Sequence, residues 1–110
     1  GKSARQLSDY IESALGQRIA LTELASLVHM SVHQLLIAFR RTFGTTPAQY
    51  ILAQRLRRAR WHLLNRNDDI TDIALACGFA SHSHLSAAFK RDTGITPRQF
   101  REGLRMRAVF

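Results

Sequence analysis

Two stretches of the chain, FRRTFGTTPAQY at residues 39–50 and FKRDTGITPRQF at residues 89–100, repeat one pattern. A Phe, a basic pair, a Gly, a Thr-Pro pair and a Gln recur at matching positions, and each stretch closes on an aromatic residue. The Gly is typical of a helix end, and Thr-Pro with a Gln three residues after the Thr is typical of a helix start. The sequence therefore predicts the same helix, tight break and helix twice.

The segments before each stretch also repeat. TELA at residues 22–25 aligns with TDIA at residues 71–74 at an offset of 49, whereas the later stretches align at an offset of 50. The second repeat has thus gained one residue between its two short helices, which places the extra residue in the turn that joins them. Gly78 can take the left-handed conformation that such a turn needs, and His29, its counterpart, is a residue that tolerates it. Each unit therefore has a helix-turn-helix pattern.

The remaining segments also carry helical signals, and none shows a sustained period of two. We predict an all-α fold with about seven helices, in which two helix-turn-helix subdomains are joined by a long linker helix. The first subdomain is expected at residues 1–46, the linker helix at 47–66 and the second subdomain at 67–110. The helices are predicted at about 4–15, 21–28, 31–42, 47–64, 69–77, 81–93 and 97–106.

The charge of the chain is strongly basic and uneven. Lys and Arg number 16 against 8 Asp and Glu, which gives a net charge of +8 and a pI near 11.3. No acidic residue lies between Leu24 and Asn67. This excess suits nucleic acid or an anionic membrane surface, and a solvated basic face is the plainer interpretation. No apolar run of membrane length or signal-peptide pattern occurs, and Cys77 is the single cysteine, so a cytoplasmic protein without membrane association is expected.

The whole layout resembles the DNA-binding region of the AraC/XylS family of bacterial transcription regulators, over about residues 5–105. The resemblance rests on LTELA, on LIAFRRTFGTTPAQYILAQRLRRARWHLL and on ITDIALACGFASHSHLSAAFKRDTGITPRQFR. It implies two recognition helices, at about 31–42 and 81–92, that enter successive major grooves on one face of double-stranded DNA. It also implies contact with RNA polymerase, and an effector or dimerisation domain that would precede residue 1.

The outward face of each recognition helix supplies the candidate site. Because successive helical residues lie about 100° apart, placing Leu35 and Leu85 at the core turns Thr42 and Asp92 inward too. Recognition helices contact bases with their N-terminal residues and phosphates further along. The base-contact candidates are His33, Gln34, Leu36, Ile37, His82, Ser83, Ser86 and Ala87, and the phosphate-contact candidates are Arg40, Arg41, Lys90, Arg91 and Arg101, together with free N–H groups at the two Thr-Pro helix starts.

The chain departs from the family in one respect. Members often carry Arg at one of the outward positions that Ile37 and Ala87 hold here, so the common Arg–guanine contact is missing from both helices. We therefore expect readout by Gln34 on adenine, by the His side chains, and by methyl contacts of Ile37 and Ala87 with thymine. Leu36 and Ile37 could instead form a protein interface, and the alternative function is a protein-interaction module with mainly non-specific affinity for DNA.

Other classes find little support in the sequence. His82 and His84 diverge on a helix and have no further ligand cluster, so neither a metal site nor a cofactor is predicted. No catalytic triad, phosphate loop or carboxylate pair occurs, which argues against an enzyme. RNA binding would need stacking aromatics on the exposed faces. Cys77, Trp61 and Leu64 are expected to pack inside the protein.

Overall fold

In the computed structural model, the backbone is described for residues 1–109 and the side chains for residues 1–103, and all regular structure within them is α-helical. Residue 110, the predicted end of the second subdomain, lies outside the described residues. The helices in chain order are α1 Lys2–Ala14, α2 Leu21–Leu27, α3 Val32–Phe43, α4 Pro47–Asn65, α5 Ile70–Ala76, α6 His82–Thr93 and α7 Pro97–Val109. The predicted all-α class with seven helices is confirmed.

The chain forms two compact units, unit 1 at Gly1–Gln54 and unit 2 from Arg55 onward. The boundary falls inside α4, so this long helix contributes its first turns to unit 1 and the rest to unit 2. The treatment of residues 47–66 as a separate linker stays a prediction. Each unit has its own apolar core.

Unit 1 packs α1, α2, α3 and the start of α4 around one cluster. Its buried residues are Leu7, Ile11, Leu15, Leu24, Ala25, Val28, Leu35, Phe39 and Ile51. Phe39 stacks on Phe43 with ring centroids 4.3 Å apart, and the rings of Phe39 and Tyr50 of α4 meet edge to face with centroids 5.5 Å apart. The Tyr10 hydroxyl donates a hydrogen bond of 2.6 Å to the Glu23 carboxylate, which ties α1 to α2 and raises the pKa of Tyr10.

Unit 2 repeats this arrangement. Its buried residues are Leu56, Ala59, Leu63, Ile70, Ile73, Ala74, Cys77, Phe79, Leu85, Ala88 and Phe89. Phe89 meets Phe100 of α7 at 5.3 Å, as Phe39 meets Tyr50 in unit 1. Cys77 is fully buried, as predicted, and burial raises the pKa of its thiol to about 11.

Four side chains expected to face inward do not. Thr42 and Asp92 are exposed, and Asp92 approaches Arg60 at 3.9 Å, because the last helical turn runs past the core before the chain reverses at Gly44 or Gly94. Trp61 and Leu64 are 54% and 52% exposed. They lie off the stripe of α4 that Leu56, Ala59 and Leu63 bury, so their predicted packing is wrong.

No single helix among the described residues is long and apolar enough to span a membrane. The bent pair α2 and α3 reaches the length and composition of a span only when taken together. The apolar side chains of this pair, Leu24, Leu35 and Phe39 among them, form the core of unit 1.

Candidate nucleic-acid interface

The same turn joins the short and long helices of both units. In unit 1, the Met30 N–H donates to the Ala25 carbonyl at 2.9 Å and the His29 N–H to the Ser26 carbonyl at 3.2 Å. In unit 2, Phe79 and Gly78 make the corresponding bonds at 2.9 and 3.2 Å. This pair of bonds is the Schellman motif, which needs a left-handed residue. His29 supplies it with φ 58° and Gly78 with φ 90°, as the sequence predicted for both positions.

The extra residue of unit 2 falls in this turn, because residues 28–31 separate α2 from α3 and residues 77–81 separate α5 from α6. The helix that follows each turn has the same length and the same type of ends. Ser31 and Ser81 are the N-caps, whose hydroxyls accept the N–H of Gln34 and of His84 at 3.1 Å. Gly44 and Gly94 end the helices with φ 73° and 86°.

The eight predicted base-contact residues lie in the first two turns of α3 and α6. His33, Gln34, Leu36, Ile37, Ser83 and Ala87 are exposed, whereas His82 and Ser86 are half-buried. Leu36 and Ile37 are apolar side chains with 39% and 44% exposure, and other large apolar side chains, Trp61 and Leu75 among them, are exposed as well. Contact of these eight residues with bases stays a prediction.

Gln34 and His84 are each engaged at the start of their helix. The Gln34 Oε1 accepts the Ser31 N–H at 3.0 Å, which completes the predicted capping box. The His84 Nδ1 accepts the Ala80 N–H at 3.2 Å, and its ring meets the Phe79 ring edge to face at 5.3 Å. The base-contact candidates omitted His84, although its position three residues after Ser81 could have indicated it.

The basic residues expected at phosphates differ in their surroundings. Arg40, Arg41, Lys90 and Arg91 are exposed in the last turns of α3 and α6. Arg101 is half-buried, and its guanidinium donates to the carbonyls of Asp68 at 2.8 Å, Arg66 at 3.3 Å and Leu63 at 3.5 Å. These acceptors end α4 and form the segment after it. Arg101 thus fastens α7 to the end of α4, a role that no sequence pattern indicated.

The two Thr-Pro helix starts are capping boxes as well. Gln49 accepts the Thr46 N–H at 3.4 Å and Gln99 accepts the Thr96 N–H at 2.9 Å, while the two Thr hydroxyls accept the N–H groups of Gln49 and Gln99. Pro47 and Pro97 have no N–H. At each helix start, the N–H groups of the Thr and the Gln are thus bonded within the capping box and are not free for phosphates, contrary to the expectation.

Within the described residues, no group of three or more His, Cys, Asp or Glu side chains could hold a metal ion. His62 has a buried Nδ1 without a hydrogen-bond partner in this part of the chain. Burial, and then the positive charge of Arg66, lowers the pKa of His62, which favours the neutral form of its ring.

The geometry agrees with three comparisons. A family model described as a helix-turn-helix domain matches residues 24–103. The chain is 36% identical over 99 residues to the HTH-type transcriptional activator RhaS of Klebsiella pneumoniae, covering 89% of this chain and 35% of RhaS. It is 34% identical over 94 residues to LumQ, a probable transcriptional regulator of Photobacterium leiognathi, covering 86% of this chain and 38% of LumQ. It thus spans little more than a third of these relatives.

A solved structure with the same fold comes from a DNA complex. The DNA-binding domain of AdpA, a global transcriptional factor, in complex with a target DNA superposes with a TM-score of 0.89 at 26% sequence identity. The match covers 94% of this chain and 93% of that one. The similarity therefore includes both helix-turn-helix units.

Proposed function

We propose, because this chain belongs to the AraC/XylS family of bacterial transcription regulators, that it binds a specific site in double-stranded DNA and regulates transcription there. One observation carries the proposal. The chain holds two 12-residue helices, α3 and α6, that follow the same Schellman turn and have the same Ser and Gly ends. DNA in the bacterial cytoplasm is the corresponding place of action, and the proposal includes no enzymatic activity.

The binding mode follows from the duplication. A helix-turn-helix unit places its second helix in the major groove. The major groove returns to the same face of B-DNA about every 34 Å, so two such units can occupy neighbouring grooves on that face. We infer that α3 and α6 occupy successive major grooves of one bipartite site. Because the two helices carry different outward residues, the two halves of that site differ in sequence. A single chain supplies both halves, so binding needs no symmetric dimer.

Affinity is supplied mainly by phosphate contacts in this proposal. Arg40 and Arg41 in α3 and Lys90 and Arg91 in α6 are exposed in corresponding last turns, where a recognition helix leaves the groove. Each phosphate that a protein neutralises releases counterions and contributes about −0.9 to the slope of log K against log salt. We expect binding that weakens steeply as the salt concentration rises.

A second candidate function rests on the apolar surface of α3. Leu36 and Ile37 expose 39% and 44% of their area, and such groups suit a protein interface as well as thymine methyl groups. In this alternative the domain docks on RNA polymerase or on a partner domain and holds DNA without base selection. The effector or dimerisation domain and the contact with RNA polymerase are likewise proposals, because the chain covers 35–38% of RhaS and LumQ.

Selection of bound duplexes from a random-sequence library at moderate salt tests the proposal. Two enriched blocks about one helical turn apart are the expected result. Substitution of Ser83 in α6 should alter one block and substitution of His33 in α3 the other, while the matched exposed variant Arg98→Gln should alter neither. If only one block is enriched, the unit that selects no bases would favour the second candidate function, docking on a protein partner. Salt-sensitive binding without any enrichment would contradict sequence-specific binding.

A further inference from the structure

The third residue of each recognition helix both caps the helix and faces solvent. Gln34 and His84 are exposed, yet each uses one side-chain atom to accept a backbone N–H at the helix start. The acceptors differ in chemistry, an amide oxygen in α3 and a ring nitrogen in α6. The lengths are similar, 3.0 Å for Gln34 Oε1 with the Ser31 N–H and 3.2 Å for His84 Nδ1 with the Ala80 N–H.

These two bonds determine which hydrogen-bonding atoms remain for a ligand. A backbone N–H can only donate, so the atom that meets it must be an acceptor. The Gln34 amide therefore turns its oxygen to the cap and its Nε2 amino group away from it. The His84 ring must leave Nδ1 unprotonated, which puts the proton of the neutral ring on Nε2. Both side chains are thus left with an outward donor.

The orientation of each group is fixed by more than one contact. The Gln34 backbone N–H donates to the Ser31 hydroxyl at 3.1 Å, so its side chain and backbone close a reciprocal ring of bonds with Ser31. The His84 backbone makes the same bond with Ser81, and Phe79 lies against the imidazole ring at an interplanar angle of 82°. The His84 Nδ1 has one lone pair and cannot face outward without losing its cap, whereas the Gln34 oxygen keeps a second lone pair but stays turned toward the Ser31 N–H.

We propose, on the basis of the DNA-binding function proposed above, that Gln34 and His84 are specificity-determining residues that present only a donor to the major groove. Guanine offers the acceptors N7 and O6 there, thymine offers O4 and adenine offers N7, whereas cytosine offers only its N4 amino donor. A side chain that presents only a donor therefore accepts guanine, thymine or adenine in each half-site and rejects cytosine. The sequence led us to expect adenine readout by Gln34, but the bidentate pair with adenine N6 and N7 is disfavoured because the Gln34 oxygen is held by Ser31.

Two substitutions retain the cap and change the outward group. Gln34→Glu keeps an acceptor for the Ser31 N–H, since Glu is a regular capping-box residue, and replaces the donor by carboxylate oxygens. His84→Asn keeps an acceptor near the position of Nδ1, and because its own amide donor lies closer to the backbone, no donor remains at the position of Nε2. We expect Gln34→Glu to shift one position of the first block toward cytosine, the base that a donor alone rejects. We expect His84→Asn to lose the preference at one position of the second block, and each variant to bind the wild-type site about tenfold more weakly.

The controls separate capping from base contact. Ser31→Ala and Ser81→Ala remove a cap and leave the outward donors, so they should lower the melting temperature without changing base preference. His84→Gln restores both an acceptor and a distal donor, as in α3, and should retain the rejection of cytosine. It also keeps the test valid if His84→Asn folds poorly.

Library selection with each purified variant, beside its thermal unfolding curve, distinguishes the outcomes. If Gln34→Glu and both His84 variants fold and select the wild-type motif unchanged, the two residues are caps only and the inference is overturned. If the wild-type chain selects no motif, the proposed function fails and the inference fails with it. A changed position confined to the block of the substituted unit supports the inference.

Discussion

Arg101 provides the sharpest test of the structure, because the sequence and the fold assign it different roles. Its guanidinium donates to the carbonyls of Asp68 at 2.8 Å and Arg66 at 3.3 Å, and the bond to Leu63 at 3.5 Å is the longest and weakest of the three. Hydrogen bonds from charged groups contribute about 1.5–3 kcal/mol each when solvent is excluded. Since Arg101 is half-buried, we expect Arg101→Ala to lower the free energy of unfolding by about 2–3 kcal/mol in total.

The loss should be visible in thermal unfolding followed by circular dichroism. For a domain of this size, 1 kcal/mol corresponds to about 4 °C, so the melting temperature should fall by about 8–12 °C. Arg101→Lys should recover only part of the loss, because a compact ammonium group cannot span carbonyls that a planar fork reaches together. Arg98→Ala, an exposed change one turn earlier on α7, is the matched control and should shift the melting temperature little.

DNA binding at low temperature, where the variants stay folded, completes the test. If Arg101 acts only in the fold, Arg101→Ala should bind with almost the wild-type affinity. Unfolding within about 0.5 kcal/mol of wild type, the range of neutral surface changes, together with a large loss of affinity, would refute the reasoning. It would support the phosphate contact instead.

Three further results are expected. Because burial raises the pKa of Cys77 in the folded state to about 11, the contribution of its neutral thiol to the free energy of unfolding is present below pH 9 and is lost as the pH rises toward 11. The free energy of unfolding should fall over this range by at most about 1.4 kcal/mol per pH unit. This dependence should disappear in a Cys77→Ala chain measured in parallel. His29→Gly should raise the melting temperature, since the left-handed conformation at φ 58° costs a side chain about 1 kcal/mol or more that Gly78 avoids in unit 2; a lower melting temperature would show that the His29 side chain has stabilising contacts. Lys90→Gln with Arg91→Gln should reduce the slope of log K against log salt by up to about two; an unchanged slope in a salt titration would remove these residues from the phosphate contacts.

The features that the sequence predicted are local. Ser31 and Gln34 close a capping box because they stand three residues apart, and Gly44 and Gly94 end helices because their φ angles are positive. The left-handed His29 was predicted from its alignment with Gly78 alone. The capping box and the helix ends depend on residues within one helical turn, whereas the His29 prediction used the repeat as well.

The features that were missed depend on residues far apart in the chain. Arg101 bonds to carbonyls 33 and 35 residues earlier, and no spacing rule indicates such partners. Trp61 was expected to pack inside the protein, but it is exposed because it lies off the stripe of α4 that Leu56, Ala59 and Leu63 bury. The donor polarity of His84 needed the position of the Ala80 N–H, which no sequence pattern gives.

Comparison of the two units separates positions that the helix-turn-helix framework holds constant from positions whose residues can differ. The Schellman bonds of the two turns have the same lengths, and Leu35 and Leu85 are both fully buried, so the framework of a unit fixes these positions. The outward residues in the first two turns of α3 and α6 differ, Ile37 against Ala87 for example, whereas the basic pair in the last turns is shared. Positions 34 and 84 belong to neither group. A residue at either position must supply an acceptor for a backbone N–H at the helix start, while the rest of its side chain can carry different hydrogen-bonding groups toward DNA. In this proposal, stability and base preference are therefore coupled at this one position of each helix.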